Sequence, residues 1–174
     1  RKQRPDKPFA IMVATADDVT ALCDVRAEEL SQLNAPQAPI LLLRRKSQAN
    51  APQGVAEEVA PGNPYLGVML PCTPLHHILM SQIGRPIVCT SGNRSEEPMA
   101  TSTADAMQRL GDVADVFLTH NRPVVRPVDD SVARLTSRGV QLLRRARGYA
   151  PLPIHLDRSL PCTLALGGHL KNTV

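Results

Sequence analysis

Apolar and polar positions along this chain follow two periods, one suited to strands and one to helices. FAIMVA (residues 9–14) is a short unbroken apolar run, which predicts a buried strand. In TADDVTALCDVRAEELSQLN (residues 15–34), Val19, Leu22 and Val25 fall on one helical face, and Leu30 and Leu33 repeat the spacing. Thr15 and Asp17 are N-cap candidates, and the segment predicts one broken helix or two short ones ending at Asn34, before Pro36. Residues 38–46 read as a strand, and the following SQANAPQGVAEEVAPGNP reads as a polar loop. A strand at 65–70, a helix from Pro74 to Gly84 capped by Thr73, and a strand at 86–89 form the clearest supersecondary unit. TSTADAMQRLGD predicts a short capped helix and DVFLTHN a strand closing on Asn121-Arg122-Pro123. VVRPVDDSVARL and VQLLRRARG, joined by a glycine-containing turn, predict a hairpin. The expected fold class is α/β of mixed type, a twisted mixed sheet with helices packed on it.

Composition narrows the chemistry. The chain has 174 residues, 43% of them hydrophobic but only 2% aromatic, so the core must come from Leu, Val, Ile, Ala and Met. Base reading by aromatic stacking has little to work with, which argues against a nucleic-acid partner. The net charge of +4 suits a polyanionic ligand such as a nucleotide. Cys23, Cys72, Cys89 and Cys162 contain no Cys-x-x-C pair, so reduced, buried thiols are expected rather than a zinc site or disulfide framework. The longest apolar runs fall short of the roughly 18 residues of a membrane span, and the basic start is not followed by a signal-peptide core. A cytoplasmic protein is expected, with no membrane partner.

Three polar clusters can carry chemistry, each with a bland alternative. Lys2, Arg4 and Lys7 place three cations ahead of the first strand; they suit a triphosphate, or form only a solvated basic end. TSGN, residues 90–93, follows a strand directly, and Thr90, Ser91 and Asn93 supply donors and acceptors while Gly92 permits a sharp turn or close ligand approach. Turns and caps use the same residues. The hairpin carries Arg126, Asp129, Asp130 and Ser131 on one arm and Arg144, Arg145 and Arg147 on the other, where opposite charges can simply pair. Adjacent aspartates on a regular strand point to opposite faces, so only one of them can serve a site unless a bulge intervenes. His76 and His77 are helix neighbours that do not converge on one ligand, and packing is the favoured role for them; His120 is a weak third candidate.

In order, KQRPDKPFAIMV, NPYLGVMLPCTPLHHILM, RPIVCTSGNRSEEP, HNRPVVRPVDDSVARL and LLRRARGYAPLPI closely resemble the YrdC-like domain of HypF-type carbamoyltransferases. The resemblance implies a YrdC-like nucleotide-binding domain over residues 1–157, lacking its first strands, with 158–174 as a linker and the start of a following carbamoyl-transfer domain. It implies a Lys-x-Arg signature at Lys2 and Arg4 and a Ser-x-Asn signature at Ser91 and Asn93, these four being the catalytic candidates around ATP. Lys7, Thr90, Arg145 and Arg147 are the further phosphate-binding candidates, with Ser131 and Asp130 on the substrate side and no direct protein ligand to metal, Mg²⁺ arriving with ATP. The implied reaction joins carbamate, released from carbamoyl phosphate, to ATP, giving carbamoyl-AMP and pyrophosphate. The carbamoyl group then passes, through the complete enzyme, to a HypE-type acceptor in [NiFe]-hydrogenase maturation. Two rivals are threonylcarbamoyl-AMP synthesis for tRNA modification, against which TPLHH, DDSV and RRARGYAP stand, and double-stranded RNA binding on a basic concavity.

Overall fold

The computed structural model describes residues 1–2, 7–47, 54–95 and 97–166. Arg4 therefore lies outside the described residues, as does part of the expected polar loop after residue 47. The strands are β1 (Ala10–Met12), β2 (Cys23–Asp24), β3 (Ile40–Arg45), β4 (Tyr65–Met69), β5 (Ile87–Cys89), β6 (Val132–Thr136) and β7 (Gly139–Arg144). The helices are α1 (Ala16–Leu22), α2 (Ala27–Leu33), α3 (Pro74–Ile83) and α4 (Thr103–Leu110). Among the described residues these strands make one sheet in the order β5-β1-β4-β3-β6-β7, with β2 added alongside β3.

Local chemistry sets the helix starts. Thr15 caps α1 in a reciprocal box with Asp18, its hydroxyl accepting from the Asp18 N–H while the Asp18 carboxylate accepts from the Thr15 N–H at 2.9 Å. The broken-helix expectation resolves into two helices, separated by the two-residue β2. Thr73 and Ser102 cap α3 and α4 with their hydroxyls, and Pro74 occupies the first turn of α3, where a missing N–H costs nothing.

Strand alternation sorts the core into two faces. Ile11, Leu41, Leu43, Leu66 and Val68 are buried against Val19 and Leu33 of α1 and α2. On the other face Met12, Met69 and Met80 of α3 form a smaller cluster, joined by Ile40, Cys72, Ile87 and Cys89. The sheet is mixed: β1 pairs parallel with β4 and antiparallel with β5, and β3 pairs antiparallel with β4 and parallel with β6. The β4-α3-β5 unit thus returns past β1, which lies between its two strands.

Two expectations change. DVFLTHN is not a strand: Val116 and Leu118 are 83% and 69% exposed, and among the described residues no neighbouring strand supplies the ladder that an extended segment needs. The cysteines are free, but only Cys23 is buried; Cys72 and Cys89 are partly exposed and Cys162 is exposed. Among the described residues, no helix is long and apolar enough to cross a membrane.

The hairpin β6–β7 meets the sheet through a short contact, Ile40 with Val132 and Leu41 with Ala133. A second attachment lies past β7. Gly148 has a φ of 86°, and a Cβ there would sit 2.4 Å from the Gln37 carbonyl oxygen, so only glycine lets the two backbones meet. Gly148→Ala combines strain with a backbone clash and is expected to cost about 3 kcal/mol. Gly84→Ala, at the open left-handed cap of α3, should cost only about 1–2 kcal/mol. Urea unfolding midpoints compare the two; equal losses would show that the Gln37 contact yields without cost.

Candidate functional site

One row of residues runs level across the sheet: Val88, Ile11, Val68, Leu41 and Ala133. From Val88 the chain leaves β5 two residues later at Thr90, off the end where β1 begins. Ser131 precedes Ala133 by two residues, off the opposite end. The two sequence-derived polar clusters thus flank the same stretch of sheet, about 13 Å apart along the strand direction at 3.3 Å per residue.

The structure brings Lys2, Thr90, Ser91 and Asn93 together. The Lys2 ammonium donates to Thr90 Oγ1 at 2.7 Å and to the Ser91 carbonyl. The Ser91 hydroxyl donates to Asn93 Oδ1 at 2.5 Å, the Asn93 N–H donates to the Ser91 carbonyl at 2.9 Å, and Asn93 Nδ2 donates to the Glu97 carbonyl at 2.6 Å. The loop is held from behind by Arg94, whose guanidinium spans both carboxylate oxygens of Asp112 at 2.6 Å. Gly92 does not occupy the left-handed region, so the turn does not require glycine. Among the described residues, no atom lies within 4 Å of where its Cβ would be, leaving the loop open to close approach. Lys7 is exposed nearby in sequence.

At the other end, the hairpin charges are largely engaged with one another. Arg147 donates through Nε and Nη2 to Asp130 Oδ1 at 2.9 and 2.8 Å, and to the Ala38 carbonyl at 3.1 Å. Arg144 approaches Asp129 at 3.6 Å. Arg145 donates to the carbonyls of Tyr149, at 2.8 Å, and Leu152. The two aspartates precede β6, so strand alternation does not govern them, and each faces a different arginine. Ser131 is 0% exposed; its hydroxyl donates to the Arg147 carbonyl at 2.9 Å and accepts from the Ala146 N–H at 2.8 Å. That hydroxyl joins the two arms of the hairpin. Arg126 and His120 are exposed.

Sequence reasoning missed what lies between the clusters. His76 Nδ1 stands 3.5 Å from Cys72 Sγ and 3.5 Å from the Cys72 N–H. The signal was present as a Cys-x-x-x-His spacing across the Thr73 cap, which puts the two side chains on one face of the first turn. Burial lowers the His76 pKa, the positive charge of Arg147 adds to this, and Asp130 opposes it. Burial likewise raises the Cys89 thiol, with the negative charge of Asp130 contributing. Asp130 therefore acts on both His76 and Cys89, across the methionine-lined face. Beyond the ends of β1 and β4 a cavity of about 400 Å³ is lined by residues 14–16, 33–36, 38, 70–72 and His77. Among the described residues, no three His, Cys, Asp or Glu side chains gather to hold a metal.

The seven-stranded mixed sheet with helices packed on it defines the fold class, and the loop that leaves β5 carries Ser91 and Asn93 with Lys2 donating into it. The Sua5/YciO/YrdC family model, described as telomere recombination, matches residues 1–146, and the chain belongs to this family. Within it the chain is similar to the carbamoyltransferase HypF of Synechocystis sp., at 46% identity over all of this chain and 22% of the relative. It thus spans about a fifth of the length of the curated relatives it matches. A full-length HypF crystal structure in a phosphate- and nucleotide-bound form superposes with a TM-score of 0.83 at 44% identity, over 90% of this chain and 24% of that one. The Pyrococcus abyssi Sua5 structure complexed with L-threonine shares the fold, at a TM-score of 0.67 and 23% identity over 83% of this chain and 42% of that one.

The lowered His76 pKa has a sign that can be tested. Between its folded value and the ordinary 6.5, the unfolded chain binds more protons than the folded chain. The His76 contribution is therefore full above about pH 6.5 and is lost as pH falls below it. Urea midpoints measured from pH 7.5 to 5 should show this loss, and His76→Gln should flatten that part of the profile; an unchanged profile would remove His76 as its source.

Proposed function

We propose that this chain is the adenylate-forming part of a HypF-type carbamoyltransferase, taking ATP with Mg²⁺ and carbamate derived from carbamoyl phosphate to carbamoyl-AMP and pyrophosphate. The observation that supports this best is the constellation of Lys2, Thr90, Ser91 and Asn93 at the β5 exit, in which Lys2 of the expected Lys-x-Arg signature meets the expected Ser-x-Asn signature. Similarity to HypF, one structure of which is nucleotide-bound, points the same way.

A carbamate oxygen attacks the α-phosphorus, the bond to the bridging oxygen breaks, and pyrophosphate leaves. Such a displacement asks the protein mainly to position two anions and offset their charge. The donor set fits this: Lys2 supplies a point charge, the hydroxyls of Thr90 and Ser91 and the Asn93 amide supply short dipoles, and the open flank of Gly92 admits phosphate oxygens against the backbone. Mg²⁺ carried with the nucleotide would offset further phosphate charge. Lys7 and Arg4 are the further cations expected to extend the cationic wall. Arg145 and Arg147 are held by backbone carbonyls and Asp130, so their contribution is to shape the opposite rim unless a nucleotide draws them away. No protein nucleophile takes part. In the whole enzyme the carbamoyl group passes on to the terminal cysteine of a HypE-type acceptor.

The test is pyrophosphate exchange by the full-length protein, driven by carbamoyl phosphate and, separately, by threonine plus bicarbonate. Exchange should require carbamoyl phosphate. Lys2→Ala and Asn93→Ala should each lower it about 10²–10³-fold without shifting the unfolding midpoint. Gly92→Ala should also fold normally yet weaken ATP binding. Exchange driven by threonine would transfer the chain to the other branch of the family, and unchanged exchange in both Lys2 and Asn93 variants would sink the site assignment.

A further inference from the structure

The Cys72–His76 pair plays no part in the adenylation described above, and its geometry is that of a thiol beside a base. Cys72 immediately precedes the Thr73 cap of the ten-residue α3 and lines the cavity of about 400 Å³, where reagents from solvent can meet it. Its Sγ and its backbone nitrogen both lie 3.5 Å from His76 Nδ1, the nitrogen that accepts from them in the tautomer protonated at Nε2. The groups acting on this imidazole are Arg147, Asp130 and His77; burial and Arg147 favour its neutral form, which is the form able to take a thiol proton. The other thiols lack this setting. Cys23 is 1% exposed and burial pushes its pKa up to about 12. Cys89 is suppressed by burial and by Asp130, and Cys162 is exposed on a segment without regular structure.

We propose that Cys72 is a peroxide-reactive modification site, activated by His76, whose oxidised form is captured by a small cellular thiol to leave a mixed disulfide in the cavity. In the first step His76 Nδ1 takes the thiol proton and the sulfur attacks one peroxide oxygen. The S–O bond forms, the O–O bond breaks, and the leaving hydroxide takes the proton from the imidazolium. Cysteine and hydrogen peroxide thus give sulfenic acid and water, sulfur being oxidised and peroxide oxygen reduced. In the second step a small thiol attacks the sulfenic sulfur, and the hydroxyl departs as water with the thiol proton. The moiety left on Cys72 then shares the cavity with Thr15, Asn34 and His77.

The experiment uses the reduced full-length protein, hydrogen peroxide near stoichiometric amounts, and a dimedone-type sulfenic acid probe, read by peptide mass spectrometry. Cys72 should label several-fold faster than Cys162, with Cys23 and Cys89 nearly silent. His76→Gln should slow Cys72 about tenfold or more while leaving Cys162 unchanged, which separates loss of the base from loss of fold. With glutathione in place of the probe, the mixed disulfide should appear on the Cys72 peptide. Cys72 reacting no faster than Cys162, or at an unchanged rate in His76→Gln, would overturn the proposal. Neither readout depends on nucleotide binding, so the result stands apart from that of the exchange assay.

Discussion

The abutment of Gly148 on Gln37 is the contact on which the rest of the arrangement depends. The hairpin β6–β7 joins the sheet by only a short pairing with β3, so a free hairpin end would leave Asp130 and Arg147 with no fixed position. Backbone against backbone at Gly148 closes that freedom, and the surrounding bonds follow from it: Arg147 to the Ala38 carbonyl, Ser131 between Ala146 and Arg147, and Arg147 to Asp130. Burial dominates at both His76 and Cys89, and Asp130, once fixed, opposes its effect on the first and reinforces it on the second. A missing side chain in a distal turn thereby governs charges on the far side of the sheet.

Much of the fold was legible because short-range chemistry and long-range packing agree. Thr15, Thr73 and Ser102 cap helices where hydroxyls precede amphipathic runs, and Asn34 ends α2 just ahead of Pro36. The apolar runs around Ile11, Leu41 and Val68 became sheet because each finds a neighbour on both sides. The segment around Val116 and Leu118 has a similar pattern and finds none, and no local property of a sequence reports whether a partner strand will arrive. β2 was hidden for the opposite reason. It is a two-residue bridge, Cys23 to Arg45 and Asp24 to Arg44, made where a helix cap happens to extend.

The candidate site was legible as motifs and not as geometry. Lys2 lies 88 residues from Thr90, so their contact belongs to topology alone, although the residue types at both places were informative. Ser131 is a substrate-side candidate by the resemblance, and its burial between two backbone groups could not be read from its neighbours. For Cys72 and His76 the spacing is present in the sequence, but their approach depends on how the chain enters α3 at the Thr73 cap. Charges behave similarly: the sequence counts Arg145 and Arg147 as available cations, and folding assigns them to carbonyls and a carboxylate.

The two faces of the sheet differ in stiffness, and this bears on how the strand-exit loop can respond to an occupant. One face rests on branched side chains with few alternative rotamers, while the face under β5 rests on Met12, Met69 and Met80, whose unbranched thioethers refill space as neighbours shift. Among the described residues β5 is also an edge strand, paired with β1 alone. Small adjustments of Cys89 and Thr90 can therefore be absorbed beneath them without opening a void. The sheet behaves as an anvil with one padded side: rigid over the branched core, compliant beneath the loop that leaves β5.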